Sequence, residues 1–277
     1  MKLPTDTFLL YEAIPVTVLL RNTTGRTIEL VEDPESPWLD FLIMDGRGRV
    51  IQPTGRPKQW GDVLIPPGDT VQRTFNITPL YELRQRGQYR LQAEVRTEAI
   101  HEISRPARLI LLSGHELWRR SFGVPHPEQD RVEYRTYRLL LKRTAEGSTL
   151  YAQTEDEQRN LVLSMLPLGP YIPFGQPQAQ VDARGHFHVL HRNGPQTFAY
   201  HEITPDGEIV TQELYSELAS VPRLETQAGG IVSVIGDRIP SAMERVLTEE
   251  ELNPPPPPPP PPEPPRKRAP SKKTPAR

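Results

Sequence analysis

The densest group of side chains able to do chemistry is His186-Phe187-His188-Val189-Leu190-His191, with Asp182 ahead of it and His201 on the next predicted strand. Alternate residues of an extended strand share a face, so His186 and His188 point the same way. Such an H-x-H pair ligates Zn²⁺ when a third group converges on it. His201 and Glu202 are the candidates for that third position. Against this stands a plainer expectation, in which the histidines pack inside or line the surface. An internal alignment described below sets His188 opposite Leu139 and His186 opposite Tyr137, as if these positions serve strand packing first. Spacing alone secures two ligands, so no cofactor and no metal site are assigned from it.

Other chemistry finds little support. The absence of cysteine removes disulfides, thiolate metal sites and thiol nucleophiles, and suits either redox compartment. There is no G-x-S-x-G elbow, no G-x-x-x-x-G-K-S/T phosphate loop and no G-x-G-x-x-G fingerprint. Glu155-Asp156-Glu157 falls at a predicted hairpin tip and reads as a solvated turn rather than an acid/base pair. Asn22-Thr23-Thr24 and Asn76-Ile77-Thr78 match the N-glycosylation pattern and are read as chance matches. No catalytic residue is assigned, and the expectation is a protein that is not an enzyme.

The elements that would position these residues are strands. A chain of 277 residues has room for two domains. Over 7–113, short runs of alternating hydrophobicity are punctuated by Gly, Pro, Asn and Asp. In Tyr89–Arg96, Tyr89, Leu91, Ala93 and Val95 alternate with polar residues; Val71, Arg73, Phe75 and Ile77 form a similar series. Asp45-Gly46-Arg47-Gly48 supplies a tight hairpin whose glycines are expected at positive φ. Leu83, Gly87 and Tyr89 fit the spacing L-x-x-x-G-x-Y, either a tyrosine corner of a Greek-key sandwich or an ordinary tyrosine at a strand start.

With Ile65-Pro66-Pro67-Gly68 before one strand and Arg21-Asn22-Thr23-Thr24 after another, residues 7–113 resemble bacterial immunoglobulin-like domains of the intracellular proteinase inhibitor type. The resemblance implies an immunoglobulin-like β-sandwich. It also raises proteinase inhibition as an alternative function, although no reactive-loop residue is identifiable.

Residues 115–238 contain a repeat. Tyr137–Arg143 aligns with His186–Arg192, Ser148–Thr154 with Gln196–Glu202, and Asn160–Leu166 with Glu208–Leu214, 48 to 49 residues apart. Gly230–Ile235 begins a third copy. A period of that length built of antiparallel strands suggests β-propeller-type blades. Too few copies are present to close a ring, so this part is expected to be a partial propeller-like or meander domain. Self-association through it would cover its edges. Ser241-Ala242-Met243-Glu244 opens a short helix over 241–252 with a capping box.

The tail, 254–277, begins with nine consecutive prolines and continues as Glu263, Pro264, Pro265 and RKRAPSKKTPAR. It is expected to be disordered, with polyproline II character in its first half. Six basic residues against Glu263 give it a net +5, which leaves -7 for the preceding residues out of -2 overall. That split argues against a nucleic-acid-binding body, because phosphate neutralisation needs clustered Lys and Arg. Pro261, Pro264 and Arg266 satisfy P-x-x-P-x-R, the form in which a polyproline helix docks on an aromatic groove. Together with Lys267 and Arg268 they are the expected binding residues, for a protein partner or an anionic polymer or surface.

No apolar run has the length of a transmembrane segment, and the first residues lack a signal-type apolar region, so as written the chain reads as cytoplasmic. Strand-like sequence begins almost at once, which also suits an exported protein whose N-terminal signal lies outside this chain. The leading expectation is an all-β, non-catalytic binding or scaffold protein with a tethering tail. The alternatives are a metal-dependent hydrolase or lyase using the H-x-H strand, and the proteinase inhibitor named above.

Overall fold

The computed structural model describes residues 1–33, 35–125 and 132–240, and over these the protein is all-β. The one helical segment among them is a 3-10 turn at Ala228–Gly230. No helix of the described residues is long and apolar enough to cross a membrane. The helix expected at 241–252 and the tail at 254–277 lie outside the described residues.

The first part comprises β1 (Thr7–Leu9), β2 (Pro15–Arg21), β3 (Ile28–Leu30), β4 (Leu39–Asp45), β5 (Val63–Ile65), β6 (Thr70–Asn76), β7 (Gly87–Arg96), β8 (His101–Ile103) and β9 (Ala107–Leu112). One sheet has the order β1-β9-β7-β4, with β8 also on β7, while β2 pairs β6 and β3 pairs β5. The alternation in β7 is realised: Tyr89, Leu91, Ala93 and Val95 are buried, and Arg90 and Arg96 are exposed. A single apolar core draws on β1, β2, β3, β4, β5, β7 and β9. Two tryptophans tie that core to backbone: the Trp38 indole donates to the Gly61 carbonyl at 3.0 Å and that of Trp60 to the Leu39 carbonyl at 2.5 Å.

Local chemistry explains several turns. The Tyr89 hydroxyl donates to the Gln85 carbonyl at 2.6 Å, a bond back to the chain just ahead of β7. In the turn after β4 only Gly48 is left-handed, at φ 80°; Gly46 is not. The Asp45 carboxylate instead braces that turn by accepting the Arg47 and Arg49 amides. Asn22 is fully buried, its amide donating to the carbonyls of Arg26 and Ile65, so its glycosylation pattern is unusable in the folded protein.

The second part comprises β10 (His115–Pro125), β11 (Val132–Thr144), β12 (Gly147–Asp156), β13 (Leu161–Pro170), β14 (Gln178–Val181), β15 (Phe187–Arg192), β16 (Thr197–Ile203), β17 (Ile209–Ser216), β18 (Arg223–Thr226), β19 (Val232–Ile235) and β20 (Asp237–Ile239). They form a sheet of order β10-β11-β12-β13, a sheet of order β14-β15-β16-β17-β20, and the pair β18-β19. The aligned segments thus become β11, β12, β13 in one sheet and β15, β16, β17 in the next. The Gly230–Ile235 segment supplies β19, which pairs with β18.

The sheets are layered. Tyr137, Leu139 and Leu141 of β11 and Leu150 and Ala152 of β12 pack on Phe187 and Val189 of β15 and Ile203 of β16. Phe187 stacks between Trp118 and Tyr137 at centroid distances of 5.1 and 5.0 Å. The other face of the second sheet, through Leu190, Phe198, Tyr200 and Tyr215, packs on Leu224 and Val232 of the β18-β19 pair. On the far side, Leu140, Tyr151 and Met165 meet Leu9 of the first part. A strand covered on both faces reads as a near-continuous buried run, and Thr136 to Lys142 of β11 is one apart from half-buried Arg138.

Candidate functional site

The turn from β14 into β15 is built by Asp182. Its Oδ1 accepts the amides of Arg184 at 2.9 Å and His186 at 2.8 Å, and its carbonyl accepts the Gly185 amide at 3.0 Å. Gly185 has φ 82°, and a Cβ there would lie 2.7 Å from the Val124 side chain. The Tyr137 hydroxyl donates to the Gly185 carbonyl at 2.6 Å, fixing the turn to the neighbouring sheet.

The β15-β16 register then decides which side chains meet. His188 is opposite Glu202 and Val189 opposite His201. His188 and Glu202 therefore share a face, and His201 is on the other. This corrects one sequence expectation: His201 is no third ligand for the His186/His188 pair. It lies in the layer between the two larger sheets, where its ring stacks on His191 at 5.7 Å and His191 in turn tilts against Tyr171 at 6.4 Å. Burial pushes His191 down to about 3, with His201 beside it adding to the effect, and burial pushes His201 down to about 4. The Pro170 backbone beside the His191 ring opposes the shift but is outweighed. Both rings are neutral packing groups.

The other face gathers Asp182, Arg184, His186, His188, Tyr200 and Glu202. One ligand atom each from Asp182, His188 and Glu202 lie within 4.8 Å of one another. His188 is 1% exposed; its Nδ1 is 2.8 Å from the Tyr200 hydroxyl, and its Nε2 stands 3.5 Å from Asp182 Oδ2 without a hydrogen bond. His186 Nδ1 is 2.7 Å from Glu202 Oε1, and the Thr211 hydroxyl donates to Glu202 Oε2 at 2.9 Å. Arg184 bridges the carboxylates, at 3.1 Å to Asp182 and 3.2 Å to Glu202.

Burial alone would raise the Asp182 carboxyl, but the His186 amide and the Arg184 guanidinium outweigh it and hold it below the usual carboxylate range. Glu202 is held low in the same way, burial being outweighed by the His186 ring and the Thr211 hydroxyl. Burial lowers His188, only partly opposed by the two carboxylates. The set is an imidazole beside two carboxylates, with Arg184 spanning both of them.

Asp156, expected at a solvated tip, is also corrected. It is buried, 3.5 Å from the Arg135 guanidinium and 3.2 Å from that of Arg159, and it accepts the Arg159 amide. The remaining expected binding residues, Pro261, Pro264, Arg266, Lys267 and Arg268, lie outside the described residues.

A second feature had no local signature. A groove of about 820 Å³ runs along Arg159 to Leu166, the start of edge strand β13, with Tyr11, Asn76, Tyr81 and Arg84 of the first part on its other wall. Arg56, Arg84 and Arg159 line it, and no carboxylate does. A second cleft of about 620 Å³ at the same junction is lined by Arg86, Lys142 and Arg143, again without a carboxylate. Neither cleft is lined by Asp182, His188 or Glu202. No family model matches the chain, and no curated protein and no solved structure matches it.

Proposed function

We propose that the protein is a non-catalytic binding or scaffold protein that receives an extended acidic segment of a partner protein in the groove along β13. The observation that carries this reading is a large groove with three arginines and no carboxylate in a body of net charge -7. A body that is acidic as a whole yet concentrates cations in one cleft selects for anionic partners there. β13 has β12 on one side and no strand partner on the other among the described residues. Such an edge offers backbone donors and acceptors to an added strand, while Pro167 and Pro170 confine that offer to the stretch before them. The Arg56 guanidinium has no carboxylate partner among the described residues, whereas Arg84 and Arg159 are paired with Glu82 and Asp156.

The immunoglobulin-like character of residues 7–113 is part of the same proposal. It is supported by the Tyr89 back-bond and by a shared core under several small sheets, and no inhibitory loop is assigned. The tail, through Arg266, Lys267 and Arg268, is proposed to tether the body to an anionic surface or polymer, and the second part is proposed to self-associate through its sheet edges.

Fluorescence anisotropy of the full chain with labelled Glu/Asp-rich peptides tests the reading. Binding that weakens with salt and is lost in an Arg56→Glu/Arg84→Glu/Arg159→Gln variant is the expected result. No peptide binding, binding unaffected by that variant, or a preference for single-stranded nucleic acid over the peptides would overturn it.

A further inference from the structure

We infer that Asp182, His188 and Glu202 form a binding site for a divalent cation of the Zn²⁺ class, gated by Arg184. The inference is independent of the groove, which these residues do not line.

Geometry comes first. Tetrahedral Zn²⁺ with bonds near 2.0–2.1 Å sets its ligand atoms about 3.3 Å apart. Asp182 Oδ2 and His188 Nε2 are already 3.5 Å apart, and one ligand atom from each of Asp182, His188 and Glu202 falls within 4.8 Å of the others. The site therefore closes with a shift of up to about 1.5 Å by one partly exposed glutamate side chain. Asp182 and His188 cannot drift, because Asp182 Oδ1 is held by two turn amides and His188 is buried.

The second observation is the state of His188. When its Nδ1 keeps the proton and donates it to Tyr200, Nε2 presents a lone pair on the side of the Asp182 carboxylate. A buried nitrogen without a hydrogen bond, aimed at anionic oxygens, is an arrangement that a cation completes. The outer groups match what metal ligands usually carry: Tyr200 orients the imidazole through its far nitrogen, and His186 and Thr211 hold the glutamate. An imidazole in the set selects a borderline ion over Ca²⁺ or Mg²⁺.

Arg184 is the third element. Its side chain is 65% exposed, yet its guanidinium spans the two carboxylates. It supplies the positive charge that the cluster needs without metal. A long exposed side chain can swing into solvent when an ion enters, so the arginine and the cation compete for the same two carboxylates.

The test uses untagged full-length chain, titrated with ZnCl₂ by calorimetry and checked by elemental analysis after dialysis. Wild type should take up the ion stoichiometrically. His188→Ala and Glu202→Gln should each weaken binding more than about tenfold, and Arg184→Ala should strengthen it several-fold, a gain that loss of a merely structural ion pair does not produce. Circular dichroism of each variant without metal controls for folding, and His188→Gln replaces the alanine variant if that one does not fold. No stoichiometric uptake, equal affinity in wild type and the ligand variants, or weaker binding in a folded Arg184→Ala protein would overturn the inference.

Discussion

The Lys142 ammonium lies 3.0 Å from the Glu12 carboxylate in a buried pair that joins the first β part to the second. The Tyr151 hydroxyl donates to the same carboxylate at 2.7 Å, and the Leu9 amide does so from the other side at 2.7 Å. Removing one partner of a buried pair strands the other charge at a cost of roughly 3–5 kcal/mol. Lys142→Met should lower stability by an amount of that order in urea unfolding. Glu12→Gln/Lys142→Met should recover much of it, because neither charge remains. Equal loss in the single and double variants would show that packing, not charge, dominates the junction.

His191 predicts a pH response. Its folded-state value, about 3, is below the usual 6.5 of histidine, so between those limits the unfolded chain binds more protons. Stability from this residue is complete above the unfolded value and is lost as pH falls through the window from about 6.5 toward 3. Tyr171, His201 and the Pro170 backbone face it, and His201, also depressed, adds to the same slope. His191→Phe should therefore flatten the acid limb of the unfolding free energy by an amount on the order of a few kcal/mol. An unchanged limb would place the acid sensitivity elsewhere.

Gly185 should resist substitution for two separable reasons. Gly185→Ala meets both a left-handed backbone, φ 82°, and the Val124 side chain at 2.7 Å. A loss of about 1–3 kcal/mol is expected, with only part recovered by adding Val124→Ala, since the backbone conformation is untouched. Full recovery would mean that the steric contact is the whole cost.

Tyr89→Phe keeps the ring and deletes the donor to Gln85. A loss of about 1 kcal/mol in the midpoint-derived stability is the expected outcome, with an unchanged fold by circular dichroism. No loss would reduce the corner to a strand-start aromatic.

Much of the fold was legible because burial follows a two-residue period wherever a strand has one wet face, as in β7. The candidate site was only half legible. His186 and His188 share a face whatever the pairing, but whether His201 or Glu202 joins them depends on the β15-β16 register. A slip of one residue would exchange the two. That register is set by the Asn193–Gln196 loop, where the Asn193 carboxamide accepts the Thr197 hydroxyl, a detail that composition does not reveal. Asp156 was misread because Arg135, which covers it, arrives from an adjacent strand twenty-one residues earlier. The groove was invisible for the same reason: Arg56, Arg84 and Arg159 come from three separate segments.

β11 lies between two packed layers, with Tyr137, Leu139 and Leu141 on one side and Leu140 on the other. An opening that peels away the β18-β19 pair leaves both of those contacts in place. Solvent deuterium reaches the central amides of β11 only when the whole body comes apart, so the slowest exchanging protons of this strand report the global free energy of unfolding.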